Sequence, residues 1–87
     1  MSTREIKQEL PKWFSGELYK EGAEVENRFG GDSCHLNNVE LSMYDFVIGA
    51  TMLMEMGMSQ RKTIVDLRKG LDWFRQNNSQ AYMILLD

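Results

Sequence analysis

The chain has 87 residues, one Cys, one Pro, seven Met and a formal net charge of −3. That length makes a single small domain with a thin core. The 43% apolar and 26% charged content excludes disorder or low complexity as an overall description.

One Cys excludes an internal disulfide framework and a Cys-rich zinc site. The acidic balance, with a pI of about 5.1, argues against a general nucleic-acid binder. The opening MSTREIKQEL is polar and mixed in charge, unlike a secretory leader. The charge-free apolar run Phe46 to Met54 is nine residues, against ~20 for a bilayer span. The expectation is a cytoplasmic protein with no membrane partner.

Residues 3–9 suit a short helix capped by Ser2 or Thr3 and limited by Pro11, since the residue before proline is pushed out of the helical region. Trp13 and Phe14 then suggest an arm that packs onto the rest of the fold. Ala23–Asn27 and Ser33–Leu36 flank Gly30-Gly31-Asp32 and predict a β-hairpin with a loop of about five residues.

Asn37 precedes Glu40 by the capping-box spacing, and Leu36 and Leu41 occupy the two positions of a hydrophobic staple. These predict a helix from Asn38 to about Met56, stopped by Gly57 in the left-handed conformation. Ser59 is read as the cap of a further helix, Gln60 to Asn77. The Gly57-Met58-Ser59 connection forces an antiparallel αα-hairpin. Asn77-Asn78-Ser79 breaks the pattern, and the tail Gln80 to Asp87 reads as a short helix, with a strand as the alternative. The fold class is therefore α+β, mainly α: an N-terminal arm and β-hairpin, then an antiparallel αα-hairpin and a short C-terminal helix, all in one domain over 1–87.

In the helix 60–77, Ile64, Leu67, Leu71 and Phe74 form one stripe, and charged residues cover the remainder, as on a surface helix. The helix 38–56 has no Lys or Arg and is apolar all round between Phe46 and Met54. Such a helix needs cover on more than one side, and so short a chain has little to supply it. A second copy is the simplest cover, so a homo-oligomer is expected, most simply a dimer, with Tyr44, Val47 and Met54 at the interface.

The run Met52, Met54, Met56, Met58 has the soft ligands that suit Cu(I). Alternate residues on a helix point to opposite faces, however, so adaptable packing is the better reading. Cys34-His35 is the one pair with nucleophile and base chemistry. Neighbouring strand residues face opposite ways, which makes a poor dyad. Phe29-Gly30-Gly31-Asp32-Ser33 lacks the Lys and following helix of a phosphate loop. Glu17, Glu21, Glu24, Glu26 and Asp32 read as a solvated acidic edge. Asp45, within the apolar helix, calls for a cationic partner such as Arg61, Lys62 or Arg68.

No enzyme, cofactor or metal motif emerges. The leading expectation is a non-enzymatic interaction module. From Ser59 onward five basic residues face three acidic ones. The face carrying Arg61, Arg68 and Arg75 would meet an external protein or, as an alternative, nucleic acid. A small ligand or enzymatic pocket near Cys34 and His35 is the third reading.

The segments carrying Trp13-Phe14, Asn27-Arg28-Phe29-Gly30-Gly31, Val39 to Phe46 (VELSMYDF) and the ending Ala81 to Asp87 (AYMILLD) resemble small uncharacterised proteins of marine bacteriophages, cyanophages in particular. The resemblance spans most of the chain from Pro11 onward. It implies an accessory phage protein acting in the host cytoplasm, with a host protein as the partner class. It assigns no functional residue.

Overall fold

A computed structural model describes residues 9–58 and 60–86. The helix expected over 3–9 falls almost entirely outside these residues. In chain order they form β1 (Ala23–Glu26), β2 (Ser33–Leu36), α1 (Asn38–Glu55), α2 (Arg61–Asn77) and α3 (Ser79–Ala81), which runs into one wider helical turn, Tyr82–Leu86. The fold is mainly helical, with one antiparallel β-hairpin and an antiparallel pair of long helices. The tail is helical rather than a strand.

The hairpin pairs Ala23 with Leu36 and Glu26 with Ser33. Asn27 shapes its turn: the side-chain Oδ1 accepts from Phe29 N (2.8 Å) and the backbone carbonyl accepts from Gly30 N (2.8 Å). This is the local side-chain bonding that draws Asn into turns. Asn27 Nδ2 also donates to the Ile84 carbonyl (2.9 Å), tying the turn to the C-terminal segment.

The start of α1 follows from its sequence. Asn37 Oδ1 accepts from Glu40 N (2.8 Å), and Glu40 Oε1 accepts from Asn37 N (3.1 Å), a complete capping box. Glu40 is buried, and its Oε2 accepts from Asn78 Nδ2 (3.0 Å). One carboxylate thus joins the start of α1 to the break between α2 and α3. Gly57 ends the hairpin's first arm at φ +74°, a conformation that favours glycine.

The start of α2 differs from expectation. Its N-cap is Gln60, whose side chain makes no capping bond; Ser59 lies outside the described residues. The buried stripe is also rotated. Gly70, Trp73 and Phe74 are buried, Leu67 and Leu71 are half-buried, and Ile64 is exposed. The reason is Gly70: a Cβ there would come within 2.6 Å of Val47 Cγ2. The two helices cross closely at that point and turn α2 toward it.

The core contains Leu36 of β2, Met43 and Val47 of α1, Trp73 and Phe74 of α2, and Ala81 and Leu85 of the tail. The arm closes one flank. Trp13 and Phe14 pack on Phe46 with centroids 6.0 and 5.1 Å away, and Trp73 Nε1 donates to the Glu9 carbonyl (3.1 Å). Aromatic contacts of this kind add ~0.5–1.5 kcal/mol beyond area burial.

Candidate functional site

Arm, hairpin and tail cover the N-terminal two-thirds of α1, and beyond that the hairpin turn reaches its end through Arg28, which pairs with Glu55 (3.0 Å). Met43, Val47 and Ala50 are buried, whereas Met52, Leu53, Met54, Met56 and Met58 are 37–61% exposed. Ile64 and Val65, early in α2, are about equally exposed, at 41% and 40%. Seven aliphatic side chains thus gather at the tip of the αα-hairpin. Polar surface interrupts them sparsely, chiefly at Glu55, Arg61 and Lys62, each exposed. The circumferentially apolar helix is therefore enclosed by its own chain along its first part and uncovered along its last.

Between the two helices, on the side of the arm, lies a groove of about 280 Å³. Phe46, Gly49, Ala50 and Leu53 line it from α1, and Thr63 and Asp66 from α2. Gly49 is exposed, and a Cβ built on it would meet nothing within 4 Å.

The three residues expected at an oligomer interface are placed differently from one another. Val47 is 1% exposed. It fills the protomer's own core against Gly70 and offers no surface to a second copy, which corrects the expectation for this residue. Tyr44 is half-buried, and burial pushes its hydroxyl pKa up against the opposing pull of Arg28. Met54 is exposed at the tip. The outward stripe of α1 instead carries Asp45, Gly49, Met52 and Met56, whose spacing of four, three and four residues keeps them on one face.

Asp45 is exposed rather than buried, and its carboxylate accepts from the Tyr19 hydroxyl (3.1 Å), not from a cation on α2. This contact holds the arm to α1, together with the bond from Tyr19 N to Ser42 Oγ (2.8 Å). Sequence spacing alone carries no signal for a pairing across 26 residues.

The basic residues of α2 do not form one free surface. Lys62 pairs with Asp66 (2.7 Å) and Arg75 with Asp72 (3.0 Å). Lys69 lies over Trp13, and Arg75 over Tyr82. Arg61 and Arg68 are exposed.

Cys34 and His35 stand on opposite faces of β2, as neighbouring strand residues do. Cys34 is half-buried beside the core and His35 is exposed. Burial, and then the carboxylates of Glu24 and Glu40, push the Cys34 thiol up, away from the reactive thiolate. Glu24 and Glu26 are exposed, and Glu24 accepts from Ser33 Oγ (2.9 Å). Among the described residues no group of three His, Cys, Asp or Glu side chains could hold a metal ion.

No protein-family model, curated protein or solved structure matches the chain. Among the described residues no helix is long and apolar enough to cross a membrane. The sequence marks Met52, Met54, Met56 and Met58, around the Gly57 stop, as an adaptable packing surface, and the structure adds that exposure of α1 is concentrated at that end.

Proposed function

We propose that the chain is a non-enzymatic interaction module that self-associates through the exposed apolar tip of its αα-hairpin. One observation carries the reading: seven aliphatic side chains, each more than a third exposed, occupy one end of the molecule. Weighted by exposure they present roughly 600 Å² of apolar surface around the tip, spread over more than one helix face. Methionine suits such a surface, because its unbranched side chain adapts to a partner. Met52 and Met56 share one face and Met54 the opposite one, so one contact covers only part of this surface and gives an interface below the ordinary size of specific complexes, which implies a weak dimer in exchange with monomer.

The same reading accounts for the composition of α1, which carries no basic residue and keeps its charge at Glu40, Asp45 and Glu55. The likeness to small marine-phage proteins supports action in a host cytoplasm, with Arg61 and Arg68 available to a host partner of acidic surface. Size-exclusion chromatography with light scattering tests the reading. The mass rises above 10.1 kDa as concentration is raised from micromolar to millimolar. A constant monomer mass over that range overturns it.

A further inference from the structure

Three glycines of this chain sit at positive φ, and three more have close neighbours that a Cβ would crowd; Gly49 has neither reason. It lies in the middle of α1, exposed, where glycine costs the helix ~1 kcal/mol relative to alanine. Seven residues further on, along the same stripe, stands Met56, 60% exposed. Met56 still belongs to the helical turn, because its N–H donates to the Met52 carbonyl (3.0 Å). The stripe therefore carries a notch at Gly49 and a knob at Met56, with Met52 and Leu53 between them.

We infer that α1 seats a second copy of itself across this stripe, antiparallel about a two-fold axis between Met52 and Leu53, with each Met56 filling the other protomer's Gly49 notch. The inference rests on the self-association reading and adds its geometry. An axis at that position equates Met56 of one copy with Gly49 of the other in both directions, as an isologous contact requires. It carries exposed Asp45 toward the start of the other copy's α2, where Arg61 is exposed, so that opposite charges flank the apolar centre. A glycine one turn from the crossing leaves room for a long side chain of the partner. Met52, Leu53 and Met56 supply under half of the roughly 600 Å² of apolar surface at the tip, well below the ~800 Å² per partner of a standard interface, which suits a weak, reversible dimer.

Sedimentation velocity on four proteins tests this: wild type, Gly49→Leu, Met56→Ala, and the swapped double variant Gly49→Met with Met56→Gly. Helical circular dichroism checks that each is folded; position 49 is exposed and a Cβ there meets nothing within 4 Å. Filling the notch or removing the knob weakens association by about tenfold or more. The swapped variant recovers most of it, because the same contact is rebuilt in reverse. If wild type associates and both single variants associate equally well, the geometry is wrong while the self-association reading stands. A swapped variant no better than the singles also overturns the geometry. If wild type stays monomeric, both fall.

Discussion

Substituting alanine at two mid-helix glycines changes stability in opposite directions. At Gly49 an added Cβ meets nothing within 4 Å, so Gly49→Ala gains the helix-propensity difference, ~1 kcal/mol. At Gly70 the same Cβ comes within 2.6 Å of Val47 Cγ2, with Met43 Sδ at 3.6 Å and Phe46 Cδ2 at 3.8 Å. Val47 is β-branched and 1% exposed, so it has no other rotamer to retreat into and the helices must separate. Overpacking of this kind costs ~1–3 kcal/mol, and the stiff contact places Gly70→Ala toward the upper end of that range. After the propensity gain is subtracted, the net loss is about 1–2 kcal/mol. Native proteins hold only ~0.05–0.15 kcal/mol per residue, so the loss is a sizeable fraction of the total. In a domain of this size it lowers Tm by roughly 5–15 °C. Urea denaturation at low micromolar protein, where monomer dominates, measures both variants. A Gly70→Ala protein as stable as wild type would refute the close crossing of α1 and α2.

Other consequences follow from single contacts. Glu40→Ala strands Asn37 N–H and Asn78 Nδ2 and is expected to cost ~2–4 kcal/mol in the same denaturation assay; a loss below 1 kcal/mol would contradict the buried link. Trp73→Phe removes the bond to the Glu9 carbonyl and should cost ~1 kcal/mol while leaving helix content unchanged by circular dichroism. The Cys34 thiol is raised by burial, so its protonated form is the one the fold prefers. Its contribution to stability is present below the pKa of the unfolded chain's thiol and is lost as pH rises toward the folded value. Alkylation rates against pH should show a midpoint higher in the folded protein than in urea, and an equal midpoint would contradict the burial.

Much of the architecture was legible because it depends on local chemistry. Asn37 and Glu40, three positions apart, form the capping box from local spacing, and Gly57 ends the helix because it accepts positive φ. Asn27, Gly30 and Gly31 likewise mark the hairpin turn. What failed depends on partners distant in sequence. Val47 read as surface because the chain seemed too short to cover α1, yet Gly70 lets α2 approach closely enough to bury it. Ile64 reads as core from its helical spacing with Leu67, Leu71 and Phe74, and the same approach rotates it outward. Asp45 within an apolar helix calls for a cation, but the arm brings the Tyr19 hydroxyl to it instead. Candidate-site residues on the tip were legible only in part: the methionine cluster stood out, whereas its exposure depended on where arm, hairpin and tail stop.

The central claim is that the distal stripe of α1 is the contact face, and methionine methyl NMR reads it directly. With methyl-labelled methionine, raising the concentration should shift the Met52 and Met56 resonances together along one binding curve, while Met43, fully buried in the protomer, and Met83, exposed on the C-terminal turn away from the stripe, stay in place. Resonances that do not move with concentration, or a shift confined to Met83, would contradict it.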